Sequence, residues 1–106
     1  MGESIRPPDG DSAVLEKTED KVTPPEMYKV VLLNDDFTPR EFVVIVLVKV
    51  FQKSNSDADR IMMTAHRGGK AVVGTYTYDI ATTRVSRARA LAKEMGYPLR
   101  FAVEGA

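Results

Sequence analysis

The amino-acid sequence predicts an α+β fold in the order β-α-α-β-α-β, with three helices packed on a small antiparallel three-stranded sheet. Three observations carry this expectation. The chain has 106 residues and no cysteine, enough for one domain with a core of its own and no disulfide framework. Two stretches, residues 27–33 and 71–77, have the composition and alternation of strands. Helix start and stop signals bracket the remaining segments.

Residues 1–23 read as a mobile arm. They hold Pro7-Pro8-Asp9-Gly10, six acidic and three basic side chains, and no sustained apolar period, too little to offset the entropy of ordering. By themselves they suggest an inert tail ending at Pro24-Pro25, ahead of a folded core over 24–106. A strand follows from Met27 to Leu33, with Tyr28, Val30 and Leu32 on one face and Lys29 on the other, and Asn34-Asp35-Asp36 stops it. Thr38-Pro39-Arg40-Glu41 then offers an N-cap hydroxyl, a proline at the first helical position and a glutamate that completes a capping box. The run from Phe42 to Phe51 is rich in valine and suits a strand on propensity. The cap signals and the length make it a helix, and its apolarity all round makes that helix largely buried. A second helix is expected from near Ser56, capped by that hydroxyl, with Asp57 and Asp59 in its first turn and a stop at Gly68-Gly69. Ala71 to Thr77 is a strand. A third helix spans Asp79 to Met95, with Val85, Ala88, Leu91, Ala92 and Met95 at helical spacing, and Gly96 and Pro98 end it. Leu99 to Glu104 is the last strand.

Composition excludes several classes of function. Fifteen basic residues balance fifteen acidic ones, so no net charge steers the chain onto nucleic acid or an anionic membrane. The longest apolar run, Phe42 to Val48, is far short of the roughly twenty residues that span a bilayer. Met1-Gly2-Glu3-Ser4 opens no secretory pattern, and Arg6 stands where a myristoylation signal has Ser or Thr. A cytoplasmic, soluble protein without cofactor is expected.

The chemistry-bearing residues are few. His66, the single histidine, lies one turn after Met62 on the second helix, so the two share a face. Alone, such a residue usually serves the helix dipole, and Asn34-Asp35-Asp36 usually shapes a turn. Asp35, Asp36 and one histidine lack metal-ligand spacing. There is no nucleophile elbow, no paired carboxylates around a cleft and no phosphate loop, so neither hydrolysis nor phosphate-loop chemistry is expected. The third helix carries Arg84, Arg87, Arg89 and Lys93, which supports an alternative, a small RNA- or ribosome-associated module. No aromatic residue interleaves those charges, so a solvated face is the better reading.

The stretch from Pro24 to Val43, with its block Asn34-Asp35-Asp36-Phe37-Thr38-Pro39, resembles the ClpS family of protease adaptors. The resemblance continues through Ile61-Met62-Met63-Thr64-Ala65-His66, Gly69-Lys70-Ala71, Gly74-Thr75-Tyr76-Thr77 and Tyr97-Pro98-Leu99, and covers residues 24–104. It implies an adaptor, not an enzyme, that binds the free N-terminus of proteins starting with Phe, Tyr, Trp or Leu. Such proteins are handed to the ClpA unfoldase of the ClpAP protease, with the N-terminal arm taking part, which replaces the inert-tail reading. It further implies a monomer with no nucleic acid or membrane partner. The family's amino-group site falls on Asn34, Asp35, Asp36, Thr38 and His66. Its apolar pocket falls on Leu32, Arg40, Val43, Met62, Ala65 and Leu99, and its surface for the N-terminal domain of ClpA on Tyr76, Asp79 and Arg84. The residue types suit this role, because an N-terminal ammonium has only donors, and an amide oxygen, a carboxylate and a neutral imidazole supply acceptors. Met62 suits a pocket that accepts several shapes.

Four positions depart from the family pattern. Asp79 and Arg84 stand for a usual Glu and Lys, Arg40 for a usual Met at the pocket mouth, and Ala65 for a usual Val or Ile. Together with the basic third helix they suggest a divergent member, a second copy with its own ranking of first residues. Arg40 is expected beside Asp36, stacked on an aromatic first residue, or extended into solvent.

Overall fold

The computed structural model describes residues 26–106, so the arm expected over residues 1–23 lies outside the described residues. The elements are β1 (Met27–Leu33), α1 (Arg40–Lys49), α2 (Asn55–Gly68), β2 (Lys70–Thr77), α3 (Tyr78–Met95) and β3 (Arg100–Gly105). This is the predicted order. β1 is the central strand of a three-stranded sheet ordered β2-β1-β3, antiparallel to both neighbours.

All three helices pack on the sheet face that carries Val30 and Leu32. Val46 and Leu47 of α1, Ala58 and Ile61 of α2, and Ala81, Val85 and Ala88 of α3 close a single core with these residues and Phe101. On the other face Val31 is also buried, between its register partners Val72 and Ala102, because the central strand is screened from both sides.

The β1–β2 register shifts once. Val30 pairs with Gly74 but Val31 pairs with Val72, which leaves Val73 as an extra residue in β2. A one-residue bulge inverts the alternation beyond it. Hence Ala71 and Tyr76, an odd number of residues apart, share the helix-covered face, opposite Leu32 and Tyr28.

Several boundaries differ from the sequence reading. Helix α1 begins at Arg40, with an extended Pro39 as its N-cap and no side-chain cap. The capping box does not form, because the Thr38 hydroxyl donates to Asp35 Oδ2 at 2.9 Å instead. Nor is α1 buried all round: Ile45 is 47% exposed, since only one side of the helix packs into the core, chiefly against α2. Helix α2 starts earlier than Ser56, capped by Ser54, whose hydroxyl accepts the N–H of Asp57 at 3.1 Å. Its stop is as expected, on Gly69 in the left-handed region at φ 93°. In α3, Leu91 and Met95 point outward, 39% and 57% exposed, and the buried stripe is Ala81, Val85, Ala88 and Ala92. Strands β2 and β3 start at Lys70 and Arg100, each one residue from the expected position.

Candidate functional site

At the end of the sheet where β1 runs into α1, the fold leaves a cavity of about 310 Å³. Its floor is apolar. Leu32 comes from β1, Val43 from α1, Met62 and Ala65 from α2, and Leu99 from the turn before β3, and all five are buried core residues. Its rim is polar and comes from the β1–α1 connection, Asn34 to Arg40, faced across the opening by His66 in the last turn of α2.

Short hydrogen bonds shape the rim. The Asp35 carboxylate takes three donors: Oδ1 accepts the backbone N–H of Phe37 at 2.9 Å and of Thr38 at 2.7 Å, and Oδ2 accepts the Thr38 hydroxyl. Such a carboxylate-locked turn fixes the loop in one conformation. The Thr38 oxygen, having donated its proton inward, keeps its lone pairs for an incoming donor. The backbone N–H of Asn34 donates to the carbonyl of Gly69 at 2.9 Å, which ties the start of the loop to the C-cap of α2 and so sets Asn34 near the turn that carries His66. The Asp36 carboxylate is exposed at the opening.

Arg40 is exposed, and its hydrogen-bond partner is His66 rather than Asp36. Its Nη2 lies 2.8 Å from Nε2 of His66, across the mouth of the cavity. A guanidinium offers only donors, so the imidazole nitrogen accepts and the ring carries its proton on Nδ1. The contact carries the guanidinium from the start of α1, where the dipole disfavours a cation, to the end of α2, where it favours one.

The eleven side chains that the resemblance points to for amine and pocket therefore border one cavity. Leu33, Phe37 and Pro39 border it as well and were missed. Phe37 is 80% exposed at the mouth, and its place inside the Asn34–Pro39 block was the signal available. Among the described residues no three His, Asp or Glu side chains come close enough together to hold a metal ion.

The other three residues lie at the opposite end of the sheet. Tyr76 rests flat against Gly74, where an added Cβ would sit 2.5 Å from its hydroxyl. Phe51 flanks the ring at 6.3 Å between centroids, and the Arg84 guanidinium covers it at 5.2 Å. Burial pushes the Tyr76 hydroxyl above its usual pKa, with Arg84 opposing. Asp79 is exposed in the first turn of α3. The basic face of α3 is partly spent within the fold, Arg84 on Tyr76 and Arg89 on the Phe101 carbonyl at 3.2 Å.

Fold and site together define a small α+β binding domain with an apolar-floored, polar-rimmed cavity at one end of its sheet. The family model of the ATP-dependent Clp protease adaptor protein ClpS matches residues 23–102. ATP-dependent Clp protease adapter proteins ClpS of Burkholderia mallei and Burkholderia thailandensis are each 50% identical over 103 residues, which is 97% of this chain and 99% of theirs. The structure of Agrobacterium tumefaciens ClpS2 bound to L-phenylalaninamide is similar with a TM-score of 0.76 and 53% identity, over 78% of this chain and 100% of that one. The chain belongs to the ClpS family, adaptors of a Clp protease. None of its described helices is long and apolar enough to cross a membrane.

Proposed function

We propose that this adaptor captures proteins by a free N-terminus whose first residue is Phe, Tyr, Trp or Leu, and delivers them to the ClpA unfoldase of the ClpAP protease in the cytoplasm. The observation that carries the reading is the joining of an apolar floor and a ring of amine acceptors in a cavity that fits one side chain. At about 310 Å³ the cavity is at the small end of ligand pockets, roughly 300–1,000 Å³. The relative solved with L-phenylalaninamide has a ligand of that kind, one aromatic side chain beside a free amine.

Each residue has a part. The first side chain enters between Leu32, Val43, Met62, Ala65 and Leu99, which contributes about 1.5–3 kcal/mol for a Phe or Leu. The ammonium donates to the Asn34 amide oxygen, to the Asp35 and Asp36 carboxylates and to His66, directly or through water, with the Thr38 oxygen beside them. Each charged hydrogen bond adds about 1.5–3 kcal/mol. After the entropy of association, micromolar or tighter binding is expected. The N-terminal domain of ClpA docks on Tyr76, Asp79 and Arg84, residues 1–23 take part in the hand-over, and the adaptor works as a monomer with no catalytic group of its own.

Fluorescence anisotropy with peptides that differ in their first residue tests the reading. Phe-, Tyr- and Leu-starting peptides are expected to bind, and N-acetylation to abolish binding. Binding that ignores acetylation would refute it.

A further inference from the structure

We infer that Arg40 is a built-in competitor for the ammonium site: in the free adaptor its guanidinium holds the ring nitrogen of His66 that an incoming N-terminus needs. The inference rests on the proposed reading of the cavity, and on one contact, Arg40 Nη2 to His66 Nε2 at 2.8 Å across the mouth.

The chemistry of the two nitrogens makes the contact exclusive. A neutral imidazole has one acceptor lone pair, and here it is used on Nε2. The other ring nitrogen carries the proton and repels a second donor. A guanidinium and an N-terminal ammonium are both cations that bring donors alone, so they cannot share the nitrogen. The surroundings offer Arg40 little else. Among the described residues it makes no ion pair with a carboxylate, and Asp35, at the centre of the adjoining turn, already takes three donors from Phe37 and Thr38, which leaves about one lone pair. Its own helix start disfavours its charge, while the last turn of α2 favours it. The guanidinium therefore stays on His66 until a ligand with a stronger hold displaces it.

The consequence is a threshold on binding. Each N-terminus replaces one charge-assisted hydrogen bond with another, so His66 adds less to affinity than its geometry would allow. Because the displaced group is the adaptor's own, every peptide bears the same cost whatever its first side chain. Only those that also fill the apolar floor bind well.

Competition makes a different prediction from stacking of Arg40 on the ligand. Under competition, Arg40→Met raises the affinity of Phe- and Leu-starting peptides alike, by about 5- to 10-fold, less than a full charged hydrogen bond is worth because the contact is exposed to solvent. In a His66→Ala background the same substitution gives no gain, because no acceptor remains to be contested. Long-range ¹H–¹⁵N spectra of the free parent should show the His66 ring protonated on Nδ1, with Nε2 perturbed on going to Arg40→Met. A fall in Phe affinity with Leu unchanged would overturn the inference in favour of stacking. So would a gain that persists in His66→Ala, which would mark simple charge repulsion. If His66→Ala alone leaves peptide binding intact, the acceptor role of His66 fails with it. If His66→Ala weakens binding but Arg40→Met brings no gain in the parent, only the competition is refuted.

Discussion

The two ends of the sheet are built in opposite ways. At the cavity end, exposed polar groups are held by short hydrogen bonds within a short connection, with Asp35 at their centre. At the other end, Tyr76 is fixed by packing against Gly74, Phe51 and Arg84. The seven residues of β1 separate the two by about 20 Å. A site that must present acceptors to a cation needs oriented lone pairs, and a carboxylate-locked turn orients them. A surface proposed to meet a folded partner needs a rigid shape, and a ring seated on glycine supplies one.

The contrast can be broken at either end. The largest effect is expected for Asp35→Ala, which removes both an acceptor and the lock on the turn. Peptide affinity should fall by about 2–4 kcal/mol, read by anisotropy, while thermal unfolding and ClpA binding change little. Unchanged peptide affinity in a folded variant would refute the site. Next, Gly74→Ala places a Cβ 2.5 Å from the Tyr76 hydroxyl and 2.8 Å from its ring carbon, so the ring must leave its seat. Stability should fall by about 1–2 kcal/mol, and ClpA binding with it, while peptide affinity holds. Parallel loss of both activities would show that the two ends are coupled.

Smaller effects sharpen the contrast. Ala65→Val adds two methyl groups to the cavity wall, and the Phe-to-Leu affinity ratio should drop by roughly 3- to 10-fold, since a ring needs the space more. The smallest effect concerns Tyr76. Its hydroxyl pKa is raised in the folded state by burial, so the unfolded chain loses its proton first as pH rises. The contribution is constant below about pH 10, the ordinary tyrosine value, and is lost as pH climbs through the folded value. Denaturant melts between about pH 9 and 11 should show a shallower decline in Tyr76→Phe than in the parent.

Legibility in the sequence follows the range of the interactions. β1 was readable to the residue, because alternation and the Asn34-Asp35-Asp36 stop are local signals. The end of α2 was readable from Gly69 for the same reason. Its start was not, since Ser54 and Ser56 are both competent caps and only Ser54 has its hydroxyl on Asp57. The cap of α1 misled because Asp35 competes for the Thr38 hydroxyl. The close of that helix gave no signal at all: Gln52 takes φ 58°, where glycine is usual, and the N–H of Lys53 reaches back to Leu47 at 3.1 Å. The cavity is a harder case. Nothing in spacing says that Leu32 and Leu99 meet, and those positions came from family resemblance. The Arg40–His66 contact joins residues 26 apart in sequence through two flexible side chains, and no local pattern encodes it.

The extra residue at Val73 has a consequence for how this chain can vary in length. Ala71 belongs to the cavity side of β2 and Tyr76 to the far side, and the bulge between them puts both on the helix-covered face. Deleting Val73 would give β1 and β2 an unbroken ladder and, with Ala71 and Tyr76 then four residues apart, would leave both on the helix-covered face. What the deletion would remove is the Val73 side chain, 3% exposed in the core, so a better-paired sheet would leave a void beneath it. The stretch between residues 71 and 76 can thus lose one residue without turning either end to solvent, and the bulge sets what fills the core beneath β2 rather than which way the two ends face.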